Sequence, residues 1–417
     1  NVFDQLKIRA SYGKLGNQEI GDNYYPTISV VGSGMNYLQG NNIWFGQMPY
    51  VNAVSPTNLT WENTETYNIG LDLSLLNGRL TMTADAYVKN TNDVLLPIPY
   101  AGSAGISGFS IQNAGKIRNK GFEFAVNYRG SIKDKFNYYV GANISTDKNE
   151  VIKISTGGDN MTISGYSAHG QGGRGINMFQ EGHAMSYFNL IETDGIFRSA
   201  EEIENYRTAD GKLIQPGAQV GDVRYKDWNG DGYIDDYDQR PIGRNAYPEL
   251  VYGINLGLSW KGVDFSMFWQ GGALSDFQIG AFDMDAFQEG ATNLNTWEYF
   301  GDRWHRADYT DPNSEWIPGY FPAVRDFTSV TINRLSSNFW MWNGSYIRLK
   351  NVELGYTLPQ RITQKANIKQ LRIYANLYNC LTFSSQKFFD PEQLESQYSF
   401  ASYPQIMSFN VGINLKF

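Results

Sequence analysis

The chain reads as an all-β protein, a transmembrane antiparallel β-barrel, on three observations. Apolar and polar residues alternate strictly from end to end, the alternating runs are long, and the connections between them are short and long in turn. Alternation with period 2 gives a sheet two unlike faces. The last run shows it: Phe409, Val411, Ile413, Leu415 and Phe417 share one face, and Ser408, Asn410, Gly412, Asn414 and Lys416 the other. Leu371, Ile373, Ala375 and Leu377 oppose Arg372, Tyr374, Asn376 and Tyr378, and the runs from Tyr67 and Leu80 divide the same way.

The pattern predicts ten strands, near 4–13, 61–75, 79–96, 113–129, 135–152, 247–259, 262–274, 343–358, 368–383 and 404–417. Most exceed the usual strand length of roughly 5–6 residues. Short turns are expected at Asn77-Gly78, Gly130-Ser131, Lys261-Gly262 and Pro359-Gln360. Long excursions are expected over 14–60, 97–112, 153–246, 275–342 and 384–403. Short turns at one end and long loops at the other are the outer-membrane topology, with turns periplasmic and loops extracellular. Ala184–Phe197 also reads as a strand, but one more crossing would break the alternation, so it is placed inside the excursion 153–246. A soluble sandwich or propeller also alternates; strand length and loop asymmetry favour the barrel.

Composition removes several classes. A net charge of -8, from 34 basic and 42 acidic residues, argues against a nucleic-acid surface, and a single cysteine, Cys380, excludes a disulfide scaffold. No window is apolar enough for a membrane helix. The first residues, Asn1–Tyr12, read as a strand rather than a signal peptide, so the chain is expected to begin inside a longer protein. No domain boundary interrupts 1–417, and the long loops are too aromatic to read as disordered, so they are expected to pack on each other or on a partner.

The sharpest local motif is Asp227–Asp238, which fits D-x-N-x-D-G-x-I-D-x-x-D. Asp227, Asn229, Asp231, Tyr233 (through its carbonyl), Asp235 and Asp238 occupy the oxygen-ligand positions of a calcium loop, with Gly232 at the sharp turn. Asp stands at the last position where an EF-hand has Glu, and no amphipathic helices flank the loop, so modest affinity is expected. The alternative is an Asx-rich turn whose carboxylates cap backbone amides. Loop aromatics, among them Trp44, Trp297, Trp304, Trp316 and Trp342, are candidate contacts for a ligand or a protein partner; the alternative is loop packing or the membrane-boundary girdle. His169, His183 and His305 are isolated from one another and from Cys380, so neither a zinc site nor a catalytic dyad is read, and the chain is not expected to be an enzyme. The glycine-rich run 168–175 lacks the helix and Lys-Ser/Thr of a phosphate loop.

Several segments resemble the SusC/RagA group of TonB-dependent transporters. They are Asn58–Thr64 with Tyr67–Asp72, Asn113–Glu123, Gly221–Gly243, Tyr346–Pro359 and Leu371–Asn379, and their joint order covers nearly the whole chain. The resemblance implies a plugged, 22-stranded barrel, the size of outer-membrane transporters, of which the ten strands here are the C-terminal part. The plug, the energy-coupling box and about twelve strands would precede Asn1 in the longer protein. It further implies a bacterial outer-membrane location with the C-terminus periplasmic, a SusD-like surface lipoprotein as lid, oligosaccharide or oligopeptide cargo, and energy from the TonB complex. A homodimer of the complex is the assembly to look for. The competing reading is a barrel that serves as a surface-binding or assembly scaffold.

Overall fold

Strict alternation becomes backbone pairing over nearly its whole length. The computed structural model describes residues 3–19, 27–28, 30–39, 42–53, 56, 58–99, 103, 109–133, 135–154, 160–162, 177–279, 284, 296–325, 330–385, 387–388, 390–392 and 403–417. Ten strands form one sheet: β1 Phe3–Asn17, β2 Glu62–Leu75, β3 Leu80–Pro99, β4 Phe109–Ile132, β5 Phe136–Ile154, β6 Leu250–Trp260, β7 Val263–Ala273, β8 Tyr346–Thr357, β9 Gln370–Ser384 and β10 Ser408–Lys416. Each pairs antiparallel with the next in chain order, and β1 and β10 form the two edges of an open sheet.

All ten predicted strands are present, with shifted ends. β4 runs through Gly130-Ser131, so the turn expected there lies at 133–135 instead. Continued pairing, Gly130 with Tyr138 and Ile132 with Phe136, carries the strand past the glycine. At Pro359-Gln360 the connection is not a tight turn but a short helix, Gln360–Thr363, followed by a 3-10 turn. Tyr187–Ile191 is a strand, yet it pairs with Asn177–Gln180 and Gln239–Pro241 in a separate small sheet and adds no crossing. The excursion 14–60 contains a hairpin, Val30–Gln39 with Asn42–Ala53.

Register aligns the apolar face across the strands. One row runs Ile8, Leu71, Ala84, Phe124, Ile144, Tyr252, Gly271, Ile347 and Phe383 through successive pairs from β1 to β9. Ile8, Leu71, Ile144 and Phe383 of this row are exposed, Ile8 by 72%, while the Tyr252 ring lies over Gly271. A row of bare apolar side chains this long is unstable in water and suits lipid. On β2 the band runs from Tyr67 to Leu75, close to the roughly 9–11 residues a tilted strand needs to cross a membrane. Its loop-side boundary is marked by Tyr12 against Tyr67, ring centroids 5.0 Å apart. The next outward row beyond it is polar: Lys14 pairs with Glu65 at 3.1 Å and Arg118 donates to Asn90.

The band makes a direct prediction. Met267 lies on the outward face of β7, in register with Leu256 and Val352, while Ser266 faces inward between Gly257 and Glu353. Met267→Arg is expected to destabilise the barrel by about 2–4 kcal/mol, because the charge then sits in hydrocarbon, and Ser266→Arg by much less. Urea titration of the full-length protein in lipid vesicles measures both; equal effects would mean the faces are assigned wrongly.

Candidate functional site

The inward face is polar, and two clusters of its charges pair within the wall. Arg9 on β1 forks between Asp72 on β2, at 2.9 and 3.0 Å, and Asp85 on β3, at 2.9 and 2.7 Å. It reaches Asp85 across Gly70, where a Cβ would lie 2.5 Å from the Asp85 carboxylate. The far side of the sheet repeats the device: Arg372 on β9 bonds Asp264 on β7 and Glu353 on β8 over Gly355. A planar guanidinium matches two carboxylates where an ammonium would not. Asp72, Asp85, Glu123, Arg348 and Arg372 all fall on this face, as alternation predicts.

At the loop end the two longest excursions pack into one roof. Their junction is Asn333, whose Oδ1 accepts the Val223 amide at 2.9 Å and whose Nδ2 donates to Asp222 at 3.0 Å. Ile191 donates to the Ser336 carbonyl, Thr193 to Asn338 and Ala323 to the Gly221 carbonyl. Gly221 is required here, since a Cβ would meet that of Ala323 at 2.7 Å and its φ is +91°. Beneath the junction an aromatic core gathers Phe277, Tyr299, Phe300, Phe321 and Trp340.

A strap ties roof to wall. Phe388, after β9, packs on Tyr299 and Trp342, with centroids 5.4 and 5.9 Å away. Asp390 and Glu392 then turn back to β8: Arg348 donates to Asp390 at 2.7 Å and lies 3.1 Å from Glu392, and Lys350 donates to Glu392 at 2.5 Å. Arg348 and Asp390 are nearly buried. Arg348 and Lys350, two residues apart, share the strand face that meets the strap, and a bulge at Leu349–Asn351, opposite Asn379 with φ +53°, interrupts the pairing beside them. Nothing in the local pattern of 384–403 signals this, because an ion pair between segments 42 residues apart has no periodic signature.

The predicted site residues separate. Trp297 and Trp342 pack against the aromatic core. Trp304 lies against Gly221, and Trp316 stacks under Arg306, 4.3 Å from its ring centre. The Trp44 side chain, His169 and the run 168–175 lie outside the described residues. Trp228, at a spacer position of the acidic motif, is half exposed with Arg240 stacked 3.6 Å above it. His183 packs on Tyr187 and His305 bonds the Arg303 carbonyl.

The motif 227–238 is a chain of side-chain-capped turns. Asp227 accepts the amides of Gly230 and Gly232, Asn229 that of Asp231, Asp231 that of Tyr233, and Asp235 that of Tyr237. Asp238 is fully buried and accepts the amides of Trp228, Asn229 and Asp235. Burial pushes its carboxyl above the ordinary range, against the pull of those amides. Burial does the same to Asp222, opposed by the Gln219 amide, Arg325 and Asn333. Among the described residues no three His, Cys, Asp or Glu side chains converge as a metal cluster.

A ten-strand sheet with a lipid-suited outer face, a charge-paired inner face and a packed roof defines the wall of a large membrane β-barrel. Residues 1–380 match the family described as TonB dependent receptor-like, beta-barrel, and the chain belongs to that family, whose barrels are outer-membrane proteins. It is 30% identical over 436 residues to TonB-dependent receptor P3 of Formosa agariphila, and 28% identical over 421 residues to TonB-dependent receptor SusC of Bacteroides thetaiotaomicron. Each alignment covers 100% of this chain but only 40% and 38% of those receptors. The chain thus spans about two fifths of its relatives' length, as expected for a barrel portion of a SusC/RagA-type protein. Two structures share its fold. The RagAB peptide transporter aligns with TM-score 0.71 at 23% identity, over 99% of this chain and 41% of that one. The closed-closed state of the RagAB peptide importer gives 0.73 at 22%, over 100% and 41%.

Proposed function

We propose that this chain forms wall and roof of an outer-membrane importer that admits oligosaccharides or oligopeptides beneath a SusD-like lipoprotein, driven through TonB. The observation that carries the reading is the packing of Ile191, Val223 and Tyr225 of one long excursion against Leu335 and Phe339 of the other, which joins the two into one roof at a single end of the sheet. A packed roof offers a fixed surface for a lid, which disordered loops would not. The family match and the likeness to SusC support import, and the fold shared with a peptide importer is consistent with it. In this reading the turns are periplasmic, the loops and roof are extracellular, and no reaction is assigned to the chain. Purifying the full-length protein from outer membranes in mild detergent tests it, with mass spectrometry of what copurifies. A surface lipoprotein with bound glycan or peptide is the expected result; neither, across several detergents, together with unchanged growth of a deletion strain on complex nutrients, would sink it.

The loop 227–238 is proposed to bind calcium and so stiffen the roof. Its support is the order of oxygen donors, with Gly230 and Gly232 at φ +74° and +83°. Each carboxylate oxygen that accepts an amide keeps a second lone pair, so closure of the loop on a cation need not break the caps. Roughly millimolar affinity is expected, as for extracellular calcium modules. In the full-length protein, chelation should make 177–246 easier to cleave by protease, and Asp231→Ala should abolish the difference. Identical cleavage with calcium and with chelator would refute the site.

A further inference from the structure

The four short connections, 76–79, 133–135, 261–262 and 358–369, all lie at the end of the sheet opposite the roof. They carry seven Lys or Arg against one Asp, in a chain whose net charge is -8. The seven are Arg79, Lys133, Lys135, Lys261, Arg361, Lys365 and Lys369, and all are exposed. The roof segment 177–246 has the opposite bias, with 13 acidic residues to 7 basic. Charge is therefore sorted along the barrel axis.

The basic rim also adjoins the lower edge of the apolar band. Ile132, Phe136, Trp260, Val263 and Tyr356 form the last outward row by register, and Ile132 and Trp260 are at least half exposed. Lys261 Nζ lies 4.7 Å from the centre of the Trp260 ring. Ile362, on the short helix between Arg361 and Lys365, is likewise bare. Cations set directly below exposed apolar rings match a surface that is hydrocarbon above and anionic below.

We propose that the turn-side rim is a contact surface for anionic phospholipid headgroups of the membrane leaflet on that side. The proposal rests on the membrane reading above, but not on transport. An acidic soluble protein would satisfy the cations and leave the apolar row uncovered, so the lipid is the better occupant. Each Lys or Arg near an anionic surface strengthens attachment roughly fivefold, and the effect fades with salt.

Native mass spectrometry of the full-length protein in neutral detergent tests this, with equimolar phosphatidylglycerol and phosphatidylcholine added. Phosphatidylglycerol should be retained in at least about fivefold preference. The variant Lys133→Gln, Lys135→Gln, Lys365→Gln, Lys369→Gln should lose it. The control Lys14→Gln, Lys120→Gln, Lys148→Gln, Lys153→Gln removes the same charge near the loop end and should keep it. Heat-modifiable gel migration shows that each variant still forms a barrel. No preference in the parent protein, or equal loss in both variants, overturns the proposal. Failure of uptake with the lipid preference intact would count against import alone.

Discussion

Arg348→Ala is expected to release the strap at 387–392 from the barrel wall and to cost about 3–5 kcal/mol of local stability. The size follows from burial. Arg348 and Asp390 are 4% and 6% exposed at the side chain and Glu392 is 12%, so removing the guanidinium strands two carboxylates away from water. Lys350 still answers Glu392, but Asp390 loses its cation, and the Thr382 hydroxyl loses the Arg348 Nε–H as donor. Hydrogen exchange of the amides of Glu392 and Gln405, which both bond Asp390, reads the release. Unchanged exchange in a folded variant would show that the strap is held elsewhere. Combining Arg348→Met with Asp390→Asn should recover much of the loss, because Glu392 keeps Lys350 and Asp390 no longer carries a charge without a partner.

The strap also has a pH sign. Burial pushes the Asp390 carboxyl up, but the bonds from Arg348 and the Glu392 and Gln405 amides prevail and hold it below the ordinary value of 3.8. A carboxyl lowered on folding adds stability that is fully present above its unfolded pKa and lost as pH falls through the folded one. The strap should therefore be firm at neutral pH and loosen only in acid below 3.8.

Trp340→Ala should separate the roof from itself, at a cost of about 3–5 kcal/mol. Trp340 is fully buried, packs on Phe321 and Phe339, and donates its indole N–H to the Asn333 carbonyl at 2.8 Å. Asn333 is one of the residues that join the two excursions, so the cavity and the lost bond act on the same junction. Protease should then cut within 177–246 and 296–343 while the ten strands stay paired. Resistance equal to that of the parent would mean the excursions are held mainly by contacts other than this core.

The charge-paired wall bears on how such a barrel could host moving parts. Arg9 and Arg372 already satisfy Asp72, Asp85, Asp264 and Glu353 within the sheet. Lys7 and Glu123, on the same face, lie outside these two clusters. The individual pairs are partly solvated, so their contribution to stability is small beside that of the strap.

Strands, their number, their faces and the unequal connections were legible in the sequence because each is a local property: alternation with period 2 declares both a strand and which side of it meets lipid. The lumen position of Asp72, Asp85 and Arg372 followed from the same count. Strand ends were less legible, since pairing of Gly130 with Tyr138 depends on a partner strand and not on the glycine itself. The acidic motif was visible from its spacing, but whether its oxygens hold backbone amides or a cation is a matter of loop geometry. Only the tertiary structure decided that Trp297 and Trp342 join a core, that Asn333 couples two excursions 110 residues apart, and that Asp390 returns to Arg348. These contacts arise where the sheet brings distant loops to one end, and a one-dimensional pattern has no term for which loops become neighbours there.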